Sequence, residues 1–373
     1  MRRALLISPA PVDGYPPVQA QARLLARDGY SVTLVTTARR HTGQVRFNEP
    51  GVTVVTLCEL KTRFGQLARI QRLISFVRAI TNARRNGKLD VEIAYDPLAM
   101  LYSDLAPQKP PQRIAHFHES LLLKRWIERR LRTAIRSFSR VVVPDEGRGQ
   151  ALLQQLDLRT APLVVPNYPL LRAPPRRSTT RSGLEVVYCG VLGRGQNLPL
   201  ILACVPLWPA DTRLTLIGDC ETGLGRALQA QVRDAGLSGR IRFTGWVDLA
   251  ELPERLAQAD LGLCLLDDAP EQFRTALGAS NKRYQYMQAG LAQIGDRNPG
   301  VADLLEGQRI GRCLESYSAE ALARLVHHYA RDPDALRSEG ERAATLHRTE
   351  YNYEAAFAPL LVCIRNDDLR DAA

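Results

Sequence analysis

Short apolar, β-branched runs alternate along the chain with longer amphipathic ones. Residues 3–8 (Arg-Ala-Leu-Leu-Ile-Ser) and 31–36 (Ser-Val-Thr-Leu-Val-Thr) read as strands flanking a helical pattern through Ala20, Leu24 and Leu25, which Asp28-Gly29 closes. The same alternation predicts strands at 52–57, 91–94, 113–117, 140–143 and 163–165. It stops at 171–183, where L-R-A-P-P-R-R-S-T-T-R-S-G has no apolar period and the composition of an exposed linker. Beyond the linker it restarts, with strands at 184–189, 212–217, 240–244, 260–266 and 292–294 and helices at 198–204, 224–235, 250–258, 281–289 and 318–330. Strands alternating with helices build parallel sheets covered on both faces. The expected fold class is therefore α/β, with an N-terminal Rossmann-like domain over 1–170, the linker at 171–183 and a second such domain over 184–350. A final helical pattern at about 351–366 is free to pack back on the first domain.

A length of 373 residues fits two domains better than one, and no uninterrupted apolar stretch is long enough to cross a bilayer. The apolar run after Met1-Arg2-Arg3 ends at Ser8-Pro9, too short for a secretory signal, and reads as a first strand. Seven scattered cysteines form no C-x-x-C pair, and no histidine stands at metal-ligand spacing; reduced core cysteines in a cytoplasmic protein without a metal are expected. The net charge of +11 comes mostly from arginine and calls for an anionic partner: a phosphate-bearing ligand, a membrane surface or nucleic acid. The basic runs carry no groove-reading motif and no set of stacking aromatics, which argues against nucleic acid.

In open parallel sheets, ligands bind beyond the carboxyl ends of the strands. Tyr188 to Gly195 is a strand running into a glycine-rich loop with one arginine, Arg194, suited to a diphosphate and equally to a tight turn. Ser280-Asn281-Lys282 precedes a helix that closes on Gly290, placing a cap, backbone amides and a cation together. In the first half, Asp13-Gly14, Asp96 and the run Ala115-His116-Phe117-His118-Glu119 all fall at strand ends. The sole D-x-D, Asp332-Pro333-Asp334, reads as a helix start with proline in its first turn.

The segment S-N-K-R-Y-Q-Y-M-Q-A-G-L-A-Q-I-G-D-R-N-P-G-V (280–301) resembles the donor-binding segment of glycosyltransferase family 4, typically P-N-K-L-F-E-Y-M-A-A-G-L-P-V-I with a P-G-V-like turn after it. V-P-N-Y-P (165–169), V-Y-C-G-V-L (187–192), L-T-L-I-G-D (214–219), I-R-F-T-G-W-V (241–247), Q-A-D-L-G-L (258–263) and Y-N-Y-E-A-A-F (351–357) extend the likeness over the C-terminal half. The resemblance implies a GT-B fold, two Rossmann-like domains facing each other across a cleft. It further implies metal-independent, retaining transfer of a sugar from a nucleotide diphosphate sugar to a glycan, lipid-linked or other hydroxyl acceptor in cell-surface polysaccharide or glycoconjugate synthesis. The nucleotide sugar is then a co-substrate and no cofactor is required.

Carried over residue by residue, the likeness puts Gly190, Arg194 and Lys282 at the diphosphate, beside Ser280 and Asn281. Gly218, Asp219, Gly245, Trp246 and Val247 would line the nucleoside pocket, although Trp246 fits a core aromatic equally well. Gln285 stands where the family has a ribose-holding glutamate, and Leu277 where its other glutamate falls. His118 and Glu119 take the catalytic place, with Asp13, Gly14 and Asp96 at the acceptor. The two lost glutamates keep a degenerate nucleotide-binding partner subunit open beside the transferase, and a sugar-nucleotide epimerase of similar architecture is a third reading.

Arginines interleaved with apolar residues fill 61–88 (Arg63, Phe64, Arg69, Ile70, Arg72, Ile74, Arg78, Arg84, Arg85) and 124–140 (Arg125, Trp126, Arg129, Arg130, Arg132). Such helices suit an anionic leaflet, and equally a sheet cover with solvated arginines outside. The expectation drawn from them is a cytoplasmic protein held peripherally on the inner face of the membrane.

Overall fold

The computed structural model describes residues 1–38, 44–57, 65–119, 125–173 and 183–370. Most of the expected linker (171–183), together with Lys61, Arg63, Phe64 and Lys124 of the basic runs, lies outside them. The chain divides into two compact units, Met1–Asn167 with Tyr353–Ala373, and Tyr168–Asn352.

The first unit is a seven-stranded sheet: β1 (Arg2–Ser8), β2 (Tyr30–Thr37), β3 (Val52–Leu57), β4 (Val91–Tyr95), β5 (Gln112–His116), β6 (Arg140–Val143) and β7 (Leu163–Val164). Every pairing is parallel, in the order β3-β2-β1-β4-β5-β6-β7. Among the described residues, α-helices between the strands are α1 (Pro16–Arg27), α2 (Gly65–Arg85), α3 (Asp96–Leu105), α4 (Arg125–Ile135) and α5 (Glu146–Leu156). Helices on both faces bury the central strands, so β1 is apolar from Ala4 to Ile7, while β4 and β5 are buried throughout and carry Glu92, Arg113 and His116 inward. Leu5, Ile7, Val35, Phe76, Ile80, Met100, Leu131 and Leu152 form one face of that core.

One part of the basic-run expectation is corrected. Arg84 is neither solvated nor turned to a surface: it is buried in the core and pairs with the equally buried Glu92 at 2.8 Å, beside Arg113 and Ser103. A buried carboxylate in the sheet takes the guanidinium inward because neither charge is tolerable there alone. The last helix of the chain, Tyr353–Arg370, is held to this unit by Gln21 donating to the Tyr353 hydroxyl at 2.7 Å and by Arg365 against Asp28.

The second unit holds β8 (Glu185–Cys189), β9 (Arg213–Ile217), β10 (Ile241–Gly245), β11 (Leu261–Cys264), β12 (Ala292–Gly295) and β13 (Gly311–Cys313), all parallel, in the order β10-β9-β8-β11-β12-β13. Around them pack α6 (Leu198–Cys204), α7 (Gly223–Asp234), α8 (Leu252–Leu256), α9 (Glu271–Arg274), α10 (Asn281–Ala289), α11 (Ala319–Arg331) and α12 (Pro333–Thr349). Asp332-Pro333-Asp334 opens α12, with the Asp332 carboxylate accepting from the Ala335 amide at 2.9 Å. Both units are thus Rossmann-like sheets whose strand order reverses once, between β1 and β4 in the first and between β8 and β11 in the second. Among the described residues no helix is long and apolar enough to cross a membrane.

Candidate functional site

The reversal in strand order opens a crevice at the carboxyl ends of the flanking strands, because the loops there leave in opposite directions. In the second unit those ends carry Gly190, after β8, and the loop after β11, with α10 beginning nearby. Gly190 sits at φ +131°, a backbone that side-chain-bearing residues rarely adopt, and its amide donates to Ile217 O at 2.9 Å. A Cβ at Gly218 would stand 2.3 Å from Gly190 O, so glycine there lets the two strand-end loops lie together.

Lys282 projects into this corner. Its ammonium donates to the Tyr188 hydroxyl at 3.2 Å and to Gln196 Oε1, and lies 4.5 Å from the Tyr188 ring centroid. Its stem would meet a Cβ on Gly190 at 3.4 Å, which places the charge directly over the glycine backbone. Ser280 is the N-cap of α10, but its hydroxyl makes no capping bond and lies 3.5 Å from Cys264 Sγ. The first-turn amides of α10 therefore keep their donors without a side-chain cap, with the half-buried Asn281 leading the helix. Gln285, also half-buried, accepts from the Cys189 thiol at 3.6 Å. Burial pushes that thiol up to about 12, so it remains a donor at neutral pH.

The other expected donor residues make contacts of their own. Arg194 is exposed, with no side-chain hydrogen bond or ion pair among the described residues. The Asp219 carboxylate accepts from the Glu221 amide at 3.0 Å, a turn contact. Trp246 is 38% exposed and its indole N–H donates to Asp248 at 3.3 Å, so it is not a core aromatic, while Val247 packs against the core beneath it. Leu277 packs against Gly300, where a Cβ would come within 2.6 Å of it.

In the first unit the corresponding strand ends gather a polar cluster around the buried His118, with Asp96 and Tyr15 half-buried and Glu119 exposed. Asp96, the first residue of α3, holds a left-handed backbone at φ +63°. Its carboxylate accepts from the His118 amide at 2.8 Å, from the Glu119 amide at 3.3 Å and from the Tyr15 hydroxyl. Strain at a residue with that many donors is the usual mark of a position fixed by its surroundings. Asp13, by contrast, spends its carboxylate on the amides of Arg46 (3.0 Å) and Phe47 (2.8 Å), fixing that segment against the Asp13-Gly14 turn.

The His118 ring is walled by His116 (centroids 4.2 Å apart), Tyr95 (5.6 Å) and Tyr15 (5.0 Å). Its Nδ1 lies 3.2 Å from Asn167 Oδ1, and Arg148 donates to its backbone carbonyl. Nε2 is buried and has no hydrogen-bond partner among the described residues. Burial lowers the His118 pKa, with Asp96 and Asn167 opposing and Arg148 assisting, so the ring is neutral near pH 7. Burial raises the Tyr15 hydroxyl well above its ordinary range, and Asp96 adds to it, so Tyr15 stays a phenol.

The structure thus gathers His118, Glu119 and Asp96 in one unit, and Gly190, Gly218 and Lys282 in the other. Sequence reasoning missed Tyr15, Arg148 and Asn167 in the first cluster and Tyr188 and Gln196 in the second. Asn167 carried the one usable signal, its place in V-P-N-Y-P at the end of the last strand; Arg148 sits on a helix in no motif. Cavities of about 630 and 810 Å³ in the second unit open instead near the amino ends of strands, beside Glu185, Arg213 and Ile241 and beside Leu184, Asp211 and Asp260. The strand-end crevice is favoured over these hollows because glycine backbone, helix amides and the half-buried Lys282 cation converge there.

Comparison with known proteins assigns both units. Residues 183–332 match the model of the glycosyl transferases group 1, and residues 17–168 that of the glycosyl transferase 4-like domain. Among solved structures, sucrose-phosphate synthase from Thermosynechococcus elongatus superposes with a TM-score of 0.76 at 16% identity, covering 100% of each chain. Anabaena HepE in complex with UDP-glucose gives 0.73 at 16% identity over 98% of this chain and 100% of that one. WaaG, a glycosyltransferase involved in lipopolysaccharide biosynthesis, gives 0.66 at 12% identity over 96% and 99%. At such identities the likeness is one of fold, the GT-B arrangement of two Rossmann-like domains. No curated protein matches the chain by sequence.

Proposed function

The chain belongs to the group 1 glycosyltransferases, with a 4-like first domain and the GT-B fold, and from that premise we propose that it moves a sugar from a nucleotide diphosphate sugar to a hydroxyl acceptor. The observation that carries the donor reading is the Lys282 ammonium, set over the Gly190 backbone at the uncapped start of α10. Cation and amides stabilise the charge that grows on a departing nucleoside diphosphate, without a metal. That HepE is solved with UDP and with UDP-glucose supports the same donor class. Gly218, Asp219, Trp246 and Val247 would serve the nucleoside and Gln285 the ribose, the amide replacing a carboxylate with a weaker, uncharged acceptor.

On the acceptor side, His118 and Glu119 act at the reacting hydroxyl, with Asp96 fixing both backbones; transfer is read as retaining. The acceptor is a glycan or lipid-linked saccharide in polysaccharide or glycoconjugate synthesis. α4 supports a membrane-borne acceptor: Arg125, Trp126, Arg129, Arg130 and Arg132 are all exposed, as are Leu67, Ile70 and Ile74 along α2. Each basic side chain near an anionic leaflet contributes about 1 kcal/mol. Sedimentation with vesicles of anionic lipid at low salt, lost with neutral lipid, is expected; no sedimentation with either refutes the membrane partner.

A panel of uridine, guanosine and adenosine diphosphate sugars, with and without membrane extract, tests the reaction. Acceptor-dependent release of nucleoside diphosphate supports transfer, and interconversion of the sugar alone supports an epimerase. Saturable binding without turnover supports the degenerate partner that the apolar packing of Leu277 favours.

A further inference from the structure

We infer that Asn167 is a positioning residue whose side-chain oxygen fixes the tautomer of His118, so that Nε2 presents a lone pair to a substrate hydroxyl. The inference rests on the reading of His118 as the group at the reacting hydroxyl. It stands on three observations: the 3.2 Å approach of Asn167 Oδ1 to His118 Nδ1, the absence of a partner on Nε2 among the described residues, and the full burial of both side chains. A carbonyl oxygen only accepts, so Nδ1 must carry the proton. With the proton on Nε2 instead, two lone pairs would face each other at Nδ1 and a buried N–H would lack an acceptor.

No other group near the ring does this work. Asp96 binds the backbone amide of His118 and Arg148 its backbone carbonyl, while His116, Tyr95 and Tyr15 meet the ring through their own rings. His116 is itself held by Gln21, whose amide N–H lies 2.8 Å from His116 Nδ1, and burial lowers its pKa well below the ordinary value. Of the charged neighbours, Asp96 on α3 favours a protonated His118 and Arg148 on α5 opposes it. Asn167 adds no charge and selects which nitrogen bears the proton. Asn167 reaches the ring from just beyond β7, 49 residues from His118.

With only six histidines in the chain, ¹⁵N-histidine labelling resolves each ring by NMR, His118→Gln identifying the signal. The expected wild-type spectrum shows His118 as the neutral Nδ1–H form. Asn167→Ala should move it toward Nε2–H and lower kcat by about 10- to 100-fold, with KM for the nucleotide sugar within about threefold. Asn167→Asp keeps an acceptor at Nδ1 and adds a negative charge that raises the His118 pKa. It should keep the Nδ1–H form, recover most of kcat at high pH and move the acid limb of the pH profile upward by about one unit. Should Asn167→Ala fail to fold, the aspartate variant decides alone. A wild-type ring protonated on Nε2, or an aspartate variant with an unmoved acid limb, overturns the assignment. An Nδ1–H ring that responds to Asn167 in a protein turning over no nucleotide sugar leaves the positioning intact and defeats the transferase reading.

Discussion

Lys282→Met gives the sharpest single test of the donor site. The ammonium has three contacts, the Tyr188 hydroxyl at 3.2 Å, Gln196 Oε1 and the Tyr188 ring face at 4.5 Å, so it is already oriented before any ligand arrives. At about 4 Å from a phosphate oxygen and an effective dielectric near 20, one unit-charge pair is worth about 4 kcal/mol. Hydration of both ions in the free state takes back a share, leaving about 2–3 kcal/mol. That corresponds to a loss of roughly 30- to 150-fold in affinity. Methionine fills the same stem volume, and Tyr188 keeps its bond to Val191 O at 2.6 Å, so stability should change by no more than about 1 kcal/mol. Calorimetric titration with the nucleoside diphosphates, beside a thermal melt of each protein, reads both quantities. A folded variant that binds its nucleoside diphosphate within threefold of wild type would refute the placement of Lys282 at the diphosphate.

Asp96→Asn keeps the left-handed backbone that asparagine tolerates but weakens three charge-assisted bonds, and should cost about 2 kcal/mol in urea unfolding. Because Asp96 raises the His118 pKa, the same variant should move the acid limb of the pH–rate profile downward; an upward shift contradicts the electrostatics. Gln285→Glu restores the family carboxylate and is expected to leave donor affinity unchanged or improved, whereas a large loss in a folded protein places Gln285 away from the ribose. Arg283→Met strands Asp296, buried at 2.5 Å from the guanidinium, and should destabilise by about 3–5 kcal/mol; a cost below 1 kcal/mol would show the pair to be dispensable.

Most strands of both sheets were legible because short apolar or β-branched stretches, such as Ala4–Ile7 and Val32–Val35, alternate with helical patterns. β13 was not: Gly311, Arg312 and Cys313 carry no apolar pattern, and the strand exists because β12 offers an edge to pair with. Strand-end positions were legible, as with Asp13, Asp96, His118 and Gly190. Their roles were not, because partners arrive from far along the chain. Asp13 turns out to hold the backbone at 46–47, and His118 takes its tautomer from a residue 49 positions away. Arg84 was indistinguishable from its solvated neighbours on α2, since only the fold brings Glu92 beneath it. Arg283 stands where the family motif has leucine, and only the fold brings Asp296 against it as a buried pair.

The most direct measurement of the central claim is release of nucleoside diphosphate from a matched nucleotide sugar by the purified full chain, with and without acceptor-bearing membrane extract. Release that depends on acceptor is expected, with the sugar recovered on the acceptor and a strong loss of rate in Lys282→Met. Saturable donor binding with no sugar transferred to any fraction of the extract would contradict it.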